Sequence, residues 1–320
     1  MTILPSAIDA IGNTPLVELS RIRDALELDG RILAKLDYLL PGFSKKDRAA
    51  RQVIEDARAS GDLREGQCVV ELTSGNMGTG LAIVCGILGH PFVAVMSEGN
   101  SPERARMMRA LGADVVLIPQ DKGGEPGKVS GADLALVEEA AKRITAGRGA
   151  FRADQFKVDA NPRAHEKTTA PELWSQSEGE ITAFCDFVGS GGTLAGCARY
   201  LGPKGVRCYG VEPEGAEALS HGDVSRPDHP IQGGGYLMGD LDHLNSANLA
   251  GIETVSSEEA RDCARVLARH EGIFGGYSAG ANLAAAIKLL RGPEKGGTVA
   301  FVVCDSGLKY LSTDLWKDGR

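Results

Sequence analysis

No two cysteines in this 320-residue chain stand in a Cys-x-x-Cys spacing, although there are seven of them, at 68, 85, 185, 197, 208, 263 and 304. An odd and scattered set does not make a disulfide framework, and several lie in apolar runs where Cys acts as a small hydrophobe. A reducing compartment, the cytoplasm, is the expectation. The six histidines show no metal-ligand spacing, so no metal is expected. No apolar run reaches the length that crosses a bilayer, and the N-terminus has neither a basic region nor a long apolar core. Neither a membrane partner nor a signal peptide is therefore expected. Positive charge is also in deficit: 35 Lys and Arg stand against 43 Asp and Glu, a net charge of -8. That balance argues against nucleic acid as a partner.

What is present is an ordinary globular composition, 24% charged and 42% apolar, with length enough for two domains or one large α/β unit. Strand and helix patterns alternate. Arg31–Asp37, Cys68–Leu72, Pro91–Met96 and Asp114–Ile118 read as strands, and so do Ala183–Val188, Val206–Val211 and Thr298–Cys304. Helical spacing covers 47–60, 81–89, 132–144, a stretch ending near Leu201, 258–271 and 279–291. Ser101-Pro102 opens another helix, as N-cap and first residue. This grammar predicts parallel twisted sheets in an α/β fold. Residues 120–130 read as an exposed loop. The stretch 213–248 has little periodicity and reads as a long loop over a site.

Three turns carry candidate chemistry. Glu71-Leu-Thr-Ser-Gly-Asn-Met-Gly-Thr-Gly80 joins a buried strand to an apolar helix, and its backbone N–H groups make an anion site at the helix start. Gly189-Ser-Gly-Gly-Thr193 does the same in the second half, with three glycines that let a phosphate approach the backbone. It has neither a P-loop lysine nor a dinucleotide fingerprint. Ser44-Lys-Lys-Asp-Arg48 puts a lysine at a helix start, against the helix dipole. A lysine near a phosphate turn suggests a Schiff base to an aldehyde cofactor.

Together these pieces resemble the cysteine synthase branch of the pyridoxal-phosphate β-family, fold type II. Ile11-Gly-Asn-Thr-Pro-Leu16, Lys46-Asp-Arg48, Thr73-Ser-Gly-Asn-Met-Gly78 and Gly189-Ser-Gly-Gly-Thr193 occur in family order. Gln155-Phe156, Ala160-Asn-Pro-Arg-Ala-His165, Thr168-Thr-Ala-Pro-Glu172, Ser278-Ala-Gly-Ala281 and Asp305-Ser-Gly-Leu-Lys-Tyr-Leu-Ser-Thr313 extend the likeness over nearly the whole chain. The resemblance implies pyridoxal 5'-phosphate as cofactor and two three-layer domains with mostly parallel sheets. The smaller, mobile one would be 47–153, the larger 1–46 plus 154–320, with the cofactor in the cleft between them.

The same likeness implies roles. Lys46 matches the lysine that holds the cofactor covalently and moves the α-proton. Lys45, a rival amine, stands where the family more often has an apolar residue. Asn76 resembles the partner of the cofactor's 3′ oxygen. Gly189, Ser190, Gly191, Gly192 and Thr193 resemble the phosphate cup, and Ser306 the serine facing the pyridine nitrogen. Thr73, Ser74, Asn76, Met77 and Gln155 resemble the clamp on the substrate carboxylate, with Met77 where Thr is usual. Gly234, in Gln232-Gly-Gly-Gly-Tyr236, resembles a residue on the substrate side. Tyr236 and Tyr277 depart from the common pattern, and core packing weighs about equally with a site role for both.

The implied reaction is β-replacement on an activated L-serine through an aminoacrylate intermediate, with O-acetylserine and sulfide as the default pair. A synthase of another β-substituted alanine and a β-lyase or desulfhydrase releasing pyruvate are the rivals. A non-catalytic partner on an old enzyme scaffold fits poorly with the retained lysine and cup. A homodimer is implied.

Overall fold

The computed structural model describes residues 3–121, 129–220, 229–234 and 241–317. The chain opens with β1 (Leu16–Glu18), α1 (Ser20–Ala25) and β2 (Arg31–Lys35), then α2 (Lys46–Ser60). β3 (Val69–Leu72), α3 (Asn76–Leu88), β4 (Phe92–Ser97), α4 (Pro102–Ala110), β5 (Asp114–Ile118), α5 (Gly131–Arg148) and β6 (Phe151–Arg152) follow. The remainder is α6 (Ala160–Ala164), α7 (Ala170–Gln176), β7 (Ala183–Phe187), α8 (Gly192–Leu201), β8 (Arg207–Pro213), β9 (Gly251–Val255), α9 (Ser257–Glu271), α10 (Tyr277–Arg291) and β10 (Thr298–Val302).

These strands form two sheets. One has the order β5-β4-β3-β6 and is parallel throughout. The other has the order β1-β2-β10-β7-β8-β9 and is parallel except at its β1 edge. Side chains alternate across each sheet with period two, as a strand demands. In the smaller sheet Val69, Ala94 and Met96 pack with α2 and α3 residues, whereas Val70, Val93 and Val95 pack with Val137 and Ala141 of α5. In the larger sheet Ile32, Cys185 and Phe301 face α9 and α10, and Leu33, Phe184 and Ala300 face α7 and α8. Each sheet thus lies between helical layers, which is why its strands read as unbroken apolar runs.

The structure adds elements that periodicity does not predict. β6 has two residues and β9 is half-buried at a sheet edge. Within 213–248, the described residues after β8 hold one short 3-10 turn, Asp242–Leu244. Tyr236 and most of the 120–130 loop lie outside the described residues. No described helix is long and apolar enough to cross a membrane.

Candidate active site

A cavity opens at the C-terminal ends of β3 and β7, where ligands collect in open α/β sheets. Its walls come from both sheets: Leu72–Ser74, Asn76, Met77 and Gln155 on one side, Asp186, Phe187, Gly189–Thr193, Ser278 and Cys304 on the other. Lys45 and Lys46 also line it.

The first wall is the turn after β3. Leu72 ends the strand and Asn76 begins α3. The Thr73 hydroxyl accepts from the N–H groups of Gly75 at 2.9 Å and Gly78 at 3.0 Å, so it closes the first turn of α3. Met77 is buried with the smaller core and also lines the cavity. Asn76 Oδ1 accepts from Lys309 Nζ at 2.7 Å, and its Nδ2 donates to Asp305 at 2.8 Å. A carboxamide has a second N–H on that nitrogen, which can be directed to a ligand.

Gln155 is buried beside this turn. Its Nε2 lies 3.3 Å from both Glu71 Oε1 and the Leu72 carbonyl, and its own carbonyl accepts from Asn161 at 2.7 Å and His243 at 3.0 Å. Burial pushes the Glu71 carboxyl up to about 7, against the pull of Arg152.

The second wall is the turn from β7 into α8. Gly191, at φ +79, caps α8, a left-handed conformation that an ordinary residue adopts at a cost. A Cβ on Gly192 would lie 2.3 Å from Asn161 Oδ1, so position 192 has room only for bare backbone. Asn161 also donates to Ser190 Oγ at 2.8 Å. Thr193 Oγ1 stands 3.2 Å from His165 Nε2, and burial followed by the charges of Lys45, Arg48 and Lys46 keeps that ring neutral.

Lys46 Nζ donates to Ser190 Oγ at 3.0 Å, a neutral partner. Lys46 is half-buried in accessible surface yet enclosed by protein, because it faces the cavity. Enclosure, then the adjacent Lys45 ammonium, push its amine down to about 8. Lys45 is different. Burial opposes its charge, but Asp186 and Cys304 outweigh burial and hold the ammonium above its usual range.

Two sequence-predicted positions, Ser306 and Gly234, lie elsewhere, and the open alternative at Tyr277 falls to the core. Ser306 does not line the cavity: its hydroxyl accepts from the Leu308 N–H at 3.3 Å and caps a 3-10 turn, and its N–H donates to the Phe43 carbonyl at 3.1 Å. Besides Ser74 and Ser190 of the two turns, the serine that lines the cavity is Ser278, in the first turn of α10, against the Cys304 thiol. Gly234 packs behind the wall, where a Cβ would meet the Phe187 ring at 2.2 Å, and Gln232 and Gly233 face the cavity instead. Tyr277 is core: it is fully buried, bonds Asp314 and meets the Tyr310 ring edge-on at 5.7 Å. Sequence reading also passed over Asp186. An acid inside the apolar run Ala183–Val188 calls for a partner, and Lys45 was the unassigned cation.

These residues fit pyridoxal phosphate. The glycine-led start of α8 suits a phosphate, and the Lys46 amine stands beside it at the Ser190 hydroxyl. Among the described residues no cluster suited to a metal ion occurs.

Comparison with known proteins agrees. The family profile described as pyridoxal-phosphate dependent enzyme matches residues 7–305. Cysteine synthase 3 of Caenorhabditis elegans is 39% identical over 316 residues, 97% of this chain and 89% of that protein. The crystal structure of O-ureido-L-serine synthase superposes with a TM-score of 0.86 at 35% identity, covering 100% of this chain and 98% of the other. That of O-acetylserine dependent cystathionine β-synthase from Helicobacter pylori gives 0.89 at 31%, covering 99% and 100%.

Proposed function

The chain belongs to the pyridoxal-phosphate dependent enzymes, in their cysteine synthase branch, and from that premise we propose that it replaces the β-substituent of O-acetyl-L-serine with sulfide to give cysteine. The observation that carries the reading is the Lys46 amine, lowered to about 8 and resting on a hydroxyl between an anion cup and a second helix start.

Bound pyridoxal phosphate supplies an electron sink for the pair left when the α-proton departs. The chain's residues do the rest. The backbone N–H groups of Gly191, Gly192 and Thr193, with the Ser190 hydroxyl, hold the phosphate. Ser74, the N–H groups at the start of α3 and Gln155 hold the substrate carboxylate, with Thr73 bracing the turn from behind. Lys46, as a neutral amine, takes the α-proton and later returns one to the same carbon. Asn76 would hold the cofactor's 3′ oxygen with the N–H that Asp305 leaves spare. We assign the pyridine nitrogen to Ser278, in place of Ser306. Holoenzyme given O-acetyl-L-serine and sulfide should release cysteine and acetate, identified by mass. Pyruvate and ammonia as the main products would contradict the reading.

The two serines separate cleanly. Ser306→Ala should lower stability by about 1 kcal/mol through the lost cap and leave the cofactor absorbance alone. Ser278→Ala should alter the absorbance and the turnover. A spectrum moved by the first variant and not the second returns the role to Ser306.

Met77 favours a second reading, synthesis of another β-substituted alanine, because a thioether stands in the wall where a hydroxyl is usual. Met77→Thr should shift the preference between O-acetylserine and bulkier O-substituted serines by about tenfold in kcat/KM ratio. Equal ratios remove Met77 from substrate choice.

We propose further that residues 47–153 close as a unit over 1–46 and 154–320 when the carboxylate binds, which a fall in small-angle scattering radius on adding substrate would register. A homodimer is proposed from the exposed apolar side chains of Phe43, Leu308 and Leu311 on adjoining segments, and is measurable by sedimentation. The seven unpaired thiols support residence in the cytoplasm.

A further inference from the structure

Two lysines, adjacent in sequence, reach the same cavity, and only one can carry the cofactor. The strand-turn from β7 holds both head groups, in unlike ways. Lys45 Nζ donates to both oxygens of Asp186, at 2.7 and 2.6 Å. Asp186 is 2% exposed and Lys45 8%. Asp186 Oδ1 also faces Asn282 Nδ2 at 3.3 Å and Cys304 Sγ at 3.8 Å. Four residues further on, Ser190 offers Lys46 a neutral hydroxyl at 3.0 Å.

We propose that Asp186 is a positioning residue that chooses between the neighbouring lysines: it binds the Lys45 ammonium and leaves Lys46 as the amine open to the cofactor's aldehyde. The inference rests on the reading above, in which Lys46 holds pyridoxal phosphate.

The chemistry requires such a choice. A covalent link forms when a neutral amine adds its lone pair to the aldehyde carbon and the carbonyl oxygen leaves as water. An ammonium has no lone pair to add. Lys45 carries a charge that Asp186 neutralises in place, and releasing it means breaking a buried ion pair, which is costly when the partner stays behind. The groups facing Lys46 are Lys45, Asp186 of β7, Glu71 of β3 and Cys304 after β10. His165 and His243 also feel its charge. Burial and the Lys45 ammonium lower the Lys46 amine to about 8, and the carboxylates oppose them. Lys46 therefore gives up its proton more readily than Lys45, which the ion pair with Asp186 holds protonated.

Borohydride reduction of holoprotein fixes the cofactor on whichever lysine holds it, and peptide mass spectrometry locates it. Wild type should carry the label on Lys46. The Lys46→Ala variant should leave Lys45 unlabelled, because Asp186 still binds it. Lys46→Ala combined with Asp186→Asn should label Lys45 at least about tenfold more than the single variant, since the amide keeps the shape and removes the charge. Equal labelling of Lys45 in the single and double variants overturns the proposal, and so does a double variant that retains cofactor without any label on Lys45. Label on Lys45 or on neither lysine in wild type instead overturns the reading beneath it. Should the double variant not fold, acetic anhydride labelling of the wild-type chain freed of cofactor decides. Lys46 should acetylate with a midpoint near about 8 and Lys45 remain unmodified across that range. Equal reactivity of the two overturns the proposal.

Discussion

Lys46→Ala is expected to lower turnover by about 10²–10⁴-fold, the range for loss of a positioned general acid–base group. The expectation follows from what is left in the cavity. Among the described residues, the other amine in its lining is that of Lys45, which is bound to Asp186 and kept protonated. The histidines nearest the cup and Gln155 cannot substitute: His165 is buried and bonded on both sides, and His243 is committed to the Gln155 carbonyl. Alanine is favourable at a helix start, so α2 should keep its form. The variant should therefore unfold near the wild-type temperature while losing turnover. Steady-state rates with O-acetyl-L-serine and sulfide, beside a thermal melt, make the check. A variant within tenfold of wild type would remove Lys46 from proton transfer.

The second large effect is on cofactor retention. Gly192→Ala adds one methyl group, but it would stand within 2.3–2.6 Å of the three terminal atoms of the Asn161 carboxamide. Asn161 is fully buried and cannot step aside without releasing its bonds to the Gln155 carbonyl at 2.7 Å and to Ser190 Oγ at 2.8 Å. One side chain thus ties the Gln155 backbone to the turn after β7. Losing a buried hydrogen bond costs about 1–3 kcal/mol, so cofactor affinity should fall by about 10–100-fold. Overpacking costs stability of similar size, so the melt must be read with the dissociation constant. Unchanged retention of pyridoxal phosphate through dialysis would show that this turn does not hold the phosphate.

Much of this was legible in the residues. Apolar runs that end in Ser/Gly turns located the strands whose C-terminal ends bear the cavity, because buried parallel strands need no polar alternation. The edges were not legible. β9 (Gly251–Val255) is half-buried, and β6 pairs over two residues beside β3. Such pieces exist because a neighbouring strand offers hydrogen-bond partners, which a local pattern does not record.

The same limit explains Ser306. Ser306 and Ser278 both follow apolar or glycine-rich segments, and only the tertiary arrangement decides which one faces the cavity. The Gly275-Gly276 pair before α10 was the available signal, since it brings the start of that helix close to Asp305. Lys45 and Asp186 are 141 residues apart. Lys45 stands out alone as a second cation beside Lys46, whereas Asp186, an acid in an apolar strand, gives no signal of its partner. Their pairing makes sense of both.

A crystal structure of the Lys46→Ala protein soaked with pyridoxal phosphate and O-acetyl-L-serine tests the account most directly. The phosphate should lie among the backbone N–H groups of residues 190–193 and the amino-acid carboxylate at residues 74–77 beside Gln155. Density for the cofactor phosphate anywhere else, or a carboxylate held by Lys45, would contradict it.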